Sequence, residues 1–396
     1  MDRRLLVLAL GMFALGTDSY VMAGVLPQLA RTFDVTIGVA GQMTTVYAVT
    51  YALMCPTLAA VAAGIPRKGL LLAGLAVFIV ANLLTAGTSN LAIALAARVL
   101  AGLGASMFSP TAAGSAAALA PTEKRGAALS VVAAGLAGAT ALGAPIGTLI
   151  GGLGDWRWTM VFVSALASVA GLGVLAMPSN IPLPPKTTLA ERLKPLADPR
   201  VASTLACTLL LCTGLFSIYT YFTVVFERVV DGSALVLVCL MVLWGACGTL
   251  CNLIVGRFID AIGSRLTMTV LLVDLTVSLA SLPWARDHLW SSVIAIAGWG
   301  CAAWGTLAPQ QHRLVAAAPH SAPVVIGLNT SAIYLGATLG GVVGALAIAG
   351  LGTDALAFIA AGLAAFSLVF AEFAARNPPS VVEPDAQKIV DRSNNR

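Results

Sequence analysis

Long stretches of this chain carry no charge. None falls between Leu5 and Thr17, and after Asp18 the next charged residue is Arg31. Predominantly apolar runs recur twelve times, at about 5–29, 38–63, 69–88, 90–119, 127–153, 158–177, 201–226, 233–255, 266–284, 288–308, 322–349 and 352–373. A helix rises 1.5 Å per residue, so about 20 apolar residues cross a hydrocarbon core about 30 Å thick. Each run therefore predicts a membrane-spanning helix, and the chain as a whole an all-α membrane protein with twelve transmembrane helices.

Composition agrees. Of 396 residues, 59% are hydrophobic and 10% charged, whereas a soluble domain carries about 25% charged residues. The net charge of +5 would suggest nucleic acid for a soluble protein, but here topology accounts for it. Membrane proteins enrich their inner loops in Lys and Arg. With the N-terminus inside, seventeen of the 22 Lys and Arg fall in inner segments. Four (Arg31, Arg157, Arg228 and Arg286) fall outside, and Arg98 lies within the membrane. An odd number of spans would scramble that asymmetry. The expected setting is the cell (inner, cytoplasmic) membrane with both ends cytoplasmic, the lipid bilayer as partner and no nucleic acid. The opening "MDRRLLVLALGMFALG" is shaped like a signal peptide, but no small-x-small cleavage site closes it, so it is expected to remain as the first helix. All seven cysteines fall within spans and read as small packing residues, and the three histidines lack metal-ligand spacing.

The Pro-rich, charged segment Pro178–Arg200 has six spans on either side. It predicts a bundle over 1–177, a cytoplasmic linker over 178–200, a second bundle over 201–374 and a cytoplasmic tail over 375–396. Within the linker, Leu189, Leu193 and Leu196 recur at helical spacing and predict a short surface helix. The halves look like copies. "LAGATALG" (Leu136–Gly143) pairs with "YLGATLGG" (Tyr334–Gly341) at an offset of 198, and Arg67 pairs with Arg265 at the same offset. Two pseudo-symmetric six-helix bundles are expected.

Two opposite charges interrupt the first and fourth spans. Asp18 lies nine residues before Pro27 and Arg98 eight after Asn90, so both sit roughly 12–14 Å below the same surface. Ionisable groups at that depth are expensive, and each reduces the other's cost if the two spans share a cavity. Asp274 in the ninth span is expected to make a structural hydrogen bond or to lie closer to the interface than these boundaries suggest. Tyr47 and Tyr51 share a helix face, as do Tyr219 and Phe222. With Trp244, Trp304, Asn329 and Tyr334 they are candidates for lining a cavity, since aromatic faces take flat molecules and hydroxyls add directional bonds. In the fifth span Gly143, Gly147 and Gly151 give close-approach surfaces and Pro145 bends the helix. Gly336, Gly340 and Gly344 repeat this in the eleventh span, and both spans are expected to be surfaces on which the bundles slide.

Four segments together resemble the major facilitator superfamily, and within it the twelve-helix drug:proton antiporters. "GRFIDAIGSR", with Gly256, Asp260, Gly263 and Arg265, resembles the superfamily's loop signature as it recurs between helices 8 and 9. "RVLAGLGAS" (Arg98–Ser106) resembles the helix-4 motif whose arginine is linked to proton coupling. "ALGAPIGTLIGGLGDWRW" (Ala141–Trp158) resembles the helix-5 motif typical of exporters. "GTDSYVMAGVLP" (Gly16–Pro27) resembles the first helix of chloramphenicol and sugar-efflux exporters. The loop signature lacks its acid in the first half, where Ala62 stands opposite Asp260.

The resemblance implies a major facilitator fold and export of a small, largely apolar, chloramphenicol-like compound by alternating access. Protons would be the second partner, Asp18 the proton carrier and Arg98 the residue that sets its affinity. A monomer is expected, with no cofactor and the proton gradient as energy source. No G-x-x-x-x-G-K-[ST] loop occurs. The alternatives are an exporter of sugars, nucleosides or related metabolites, and a transport-inactive receptor. An intramembrane protease would need two acids that meet, or H-E-x-x-H, and the sequence has neither.

Overall fold

The computed structural model describes residues 2–121, 124–177 and 188–376, and its spans are helical. The early part of the linker (178–187) and the tail from 377 lie outside the described residues. Among the described residues ten helices are long and apolar enough to cross a membrane. One of them, Ala234–Ala285, is two spans. It breaks at Gly263, whose φ of 80° and ψ of 156° lie in a region open essentially to glycine alone. With Ile37–Val61, itself 25 residues long, the spans number twelve.

We number them α1 (Arg3–Phe33), α2 (Ile37–Val61), α3 (Arg67–Gly87), α4 (Leu91–Leu119), α5 (Arg125–Leu153), α6 (Arg157–Leu175), α7 (Pro199–Tyr219), α8 (234–262), α9 (264–285), α10 (Leu289–Ala317), α11 (Ala322–Gly350) and α12 (Gly352–Arg376). Several overrun the expected ends, α10 by nine residues beyond 308. The added turns of α10 are polar, with Gln310, Gln311, His312 and Arg313 among them. Local chemistry sets the starts. Thr36 accepts a hydrogen bond from Val39 N at the head of α2, and Asn90 accepts from Ala92 N and Ile93 N at the head of α4. The linker helix Leu189–Leu193 opens on a Thr188–Glu191 capping box.

Burial sorts the helices. The most apolar stretches of α1 and α7 are 67% and 72% buried, those of α4 and α10 are 50%, and those of α3, α6, α11 and α12 are 39%. The outer helices instead expose large apolar side chains, such as Leu172 and Leu346, as lipid-facing surfaces require. The centre therefore belongs to α1, α4, α7 and α10. Within the first six helices α1 packs on α5 and α6, and α3 on α4 and α6; within the last six α7 packs on α11 and α12, and α8 on α10. The two sets meet mainly along α2 with α11 and α5 with α8.

Those meetings are not spread evenly through the membrane. Residues 2 and 376 lie on one face, here called the terminal face. The apolar core that contains residues of both sets takes its α1 members from Tyr20 to Ala30 and its α2 members from Ala40 and Met43, the part away from that face. Towards the terminal face, Leu5–Leu15, Tyr47, Tyr51 and Cys55 belong to a second core whose buried members all come from the first six helices.

Candidate functional site

Asp18 and Arg98 meet. Arg98 Nη1 donates to Asp18 Oδ1 at 2.8 Å and Oδ2 at 2.9 Å, and both side chains are fully buried. Arg98 Nε donates to the Met43 carbonyl at 3.4 Å, and the guanidinium stands 4.7 Å from the centre of the Tyr47 ring. Tyr47 is tied back to α1 by a hydrogen bond with Ser19 at 3.1 Å. The close approach that makes this possible comes from Gly102 on α4, whose added Cβ would lie 2.7 Å from the Tyr47 carbonyl. Removing two ions from water costs several kcal/mol each, and their mutual attraction offsets it only with good geometry. The geometry is good, yet Arg98 Nη2 remains buried without a partner.

Two residues on from Asp18, Tyr20 projects from the other side of α1 into rings from the second bundle. Its centroid lies 5.4 Å from Tyr219, 5.9 Å from Trp304, 6.1 Å from Trp244 and 6.3 Å from Phe216. Tyr219 and Trp244 are 4.5 Å apart, and Trp299 stacks on Phe222 at 5.9 Å. Two glycines let α8 and α10 come close enough to seat the indoles: a Cβ on Gly248 would meet Trp304 Cδ1 at 2.2 Å, and one on Gly300 the Trp244 carbonyl at 2.5 Å. Tyr51 of α2 stacks on Tyr334 of α11 at 3.9 Å, across the junction of the two bundles.

The structure thus brings Tyr47 to the ion pair, Tyr219, Phe222, Trp244 and Trp304 into one cluster, and Tyr51 to Tyr334. Asn329 is elsewhere. Its Oδ1 accepts from Thr208 at 2.8 Å, and Gln310 Nε2 donates to that same hydroxyl at 3.0 Å, so its amide serves α7–α10–α11 packing rather than the aromatic cluster. Tyr20, Phe216 and Trp299 join the cluster although sequence reasoning passed them over. For Tyr20 the signal was its place two residues after Asp18, which turns it to the opposite side of α1 from the pair.

The motif glycines also lie differently from expectation. An added Cβ on Gly143 would meet Thr17 at 2.0 Å, on Gly147 Val21 at 2.7 Å, and on Gly151 Val25 at 2.8 Å. All three face α1 of their own bundle, not a sliding partner, and Gly336, Gly340 and Gly344 face α7 in the same way. Contact across the bundles uses other glycines, Gly245 against the Thr140 carbonyl and Gly341 against Thr45. Pro145 follows a π turn at Ala139–Gly143, where Ala144 N reaches back to the Ala139 carbonyl. The proline ring has no N–H and crowds the carbonyl four residues earlier, so the helix widens there.

In the loop signature, Gly256 has open space and Asp260 is exposed. Gly263 makes the break, and Arg265 pairs with Glu372 of α12, Nε to Oε1 at 3.2 Å. Asp274 is half-buried and accepts from Ser278 at 3.4 Å, beside Gly298 of α10. No group of three or more metal-ligating side chains occurs among the described residues.

Known proteins resemble this chain. The chain is 28% identical over 385 residues to the inner membrane transport protein YdhP of Escherichia coli O157:H7, covering 96% of this chain and 97% of that protein. It is 32% identical over 260 residues to a chloramphenicol resistance protein of Streptomyces lividans, covering 65% and 66%. The solved structure of the nucleoside transporter NupG superposes with a TM-score of 0.73 at 14% identity, over 94% of this chain and 98% of that one, a likeness of fold. The sequence profile of the Major Facilitator Superfamily matches residues 8–340. This multi-pass membrane protein therefore belongs to the Major Facilitator Superfamily, as a secondary transporter and not an enzyme.

Proposed function

We infer that the chain is a proton-coupled exporter of a small, largely apolar compound. The observation that carries this reading is the fully buried Asp18–Arg98 pair on two of the central helices, with Tyr20 of the same α1 joining an aromatic cluster built from both bundles. Ionised, Asp18 balances Arg98. Protonated, it leaves a guanidinium that does not titrate without a counter-charge in a dry place. That guanidinium then gains by moving towards water or another acceptor, and α4 moves with it. Proton binding and helix movement become one equilibrium.

The excess of Lys and Arg assigns the terminal face to the cytoplasm. The apolar core shared by both bundles takes its α1 and α2 residues from the part away from that face, so the arrangement reads as closed on the outer side. A proton taken up from outside is released inside on return to this state, where the ion pair re-forms and the compound binds again. One proton crossing 100 mV supplies about 2.3 kcal/mol, enough for roughly a 50-fold gradient of a neutral solute. No cofactor is required, and a monomer suffices. The name of the S. lividans relative supports an antibiotic as cargo.

Proteoliposomes test the reading. Native protein is expected to move protons when a transported compound is added, and Asp18→Asn to keep downhill exchange but lose uphill export. Uphill export by Asp18→Asn at the native rate would sink the coupling.

A further inference from the structure

Trp244, Trp299 and Trp304 are 1%, 0% and 8% exposed, and none of their indole N–H groups meets an acceptor among the described residues. A buried donor left unpaired costs about 1–3 kcal/mol, so such groups are rare and call for an explanation. Here three stand in one ring cluster. The acceptors nearby are in use: both Asp18 oxygens take Arg98 Nη1, and the Tyr20 carbonyl takes the Tyr219 hydroxyl at 3.2 Å. The unpaired acceptor Gln310 Oε1 belongs to the separate Thr208–Asn329 group.

We propose that the aromatic cluster receives an uncharged planar compound whose edge carries hydrogen-bond acceptors, such as nitro or carbonyl groups. The proposal rests on the transport reading above and specifies its substrate. Ring faces supply flat apolar contact, and the indole edges supply direction. A donor-bearing edge would face other donors. A lipophilic cation, the usual guest of an aromatic cage, finds no carboxylate among the cluster's residues, and Asp18 on α1 is already neutralised by Arg98.

Binding to the purified full chain in detergent, read by calorimetry, tests this with three naphthalene probes that carry a nitro, an isopropyl or a trimethylammonium group. The nitro probe is expected to bind about tenfold more tightly than its isopropyl isostere, the equivalent of one good hydrogen bond, and the cation most weakly. Trp244→Phe and Trp304→Phe keep a ring and remove the N–H. Each is expected to weaken the nitro probe more than the isopropyl probe and so shrink their ratio, and retained isopropyl binding reports that the variant is folded. A cation that binds as tightly as the nitro probe, or a ratio that neither variant moves, overturns the proposal and leaves proton-coupled export standing. Failure of all three probes to bind native protein overturns the substrate class and the cluster as a binding site together. Failure of the coupling itself shows instead in Asp18→Asn transport.

Discussion

At the scale of single residues, the Asp18–Arg98 pair makes a prediction about stability that is separate from transport. Asp18→Asn leaves Arg98 buried without a counter-charge, at a cost of about 3–5 kcal/mol. A lowered melting temperature in detergent is expected. Adding Arg98→Gln removes the stranded charge, so the double variant should regain most of the loss while remaining uncoupled. If the double variant melts lower than Asp18→Asn alone, the pair is not the balanced unit described here. Counting residues from Pro27 and Asn90 was enough to put both charges at one depth. It could not show that a single guanidinium nitrogen takes both carboxylate oxygens, since that depends on how α4 is rotated and on Gly102 letting α2 close in. Asn329 shows the opposite failure. A lone amide in a span looks like a cavity group until its Thr208 partner, 121 positions away, is seen.

At the scale of elements, the α1–α5 contact separates two glycines of α5 that lie one turn apart. A Cβ on Gly135 would fall 2.0 Å from the Ala9 carbonyl, whereas one on Gly138 would meet Phe13 at an ordinary 3.6 Å. Gly135→Ala must push two backbones apart and is expected to cost about 1–3 kcal/mol. Gly138→Ala should be neutral, and paired thermal melts check the contrast. Spacing made all these positions visible as small. Only the observed packing shows which helix each one faces, and it turned the expected sliding surface towards α1. Outside the membrane, the head of α7 depends on pH. The side-chain hydrogen bond from Arg200 holds the Asp198 carboxyl below its usual range, and the Asp198 side chain also caps Arg200 N. A depressed folded pKa contributes stability above the ordinary carboxylate value of about 4, lost as pH falls through the lower folded value. Asp198→Asn keeps the cap and is expected to flatten the acid side of the stability–pH curve between those two values, as melts at a series of pH values would read.

At the scale of the whole molecule, the two bundles are held by contacts that would have to open if the transporter rocks. They include Tyr219 to the Tyr20 carbonyl, Thr223 to the Ala23 carbonyl at 3.3 Å, and Gly245 on the backbone of the π turn in α5. Duplication at an offset of 198 announced two similar halves in the sequence, but similar halves are compatible with an opening on either side. Which side is shut follows from side chains distant in sequence, and no local pattern carries that. Gly245→Ala tests the rocking directly. Its Cβ would lie 2.5 Å from the Thr140 carbonyl oxygen and 2.6 Å from its carbon, backbone atoms that cannot rotate aside. Unlike Gly135, this position faces the other bundle, so the strain can be relieved by parting the halves with each one intact. The expected outcome is a small change in melting temperature together with a shift towards the state open at the far face. A cysteine placed at Thr223, now 8% exposed, with the native cysteines replaced, should then react faster with a membrane-impermeant thiol reagent added from outside. Unchanged labelling with a stability loss as large as that of Gly135→Ala would mean that α5 and α8 form a fixed seam, and a transport cycle built on rocking bundles could not be sustained.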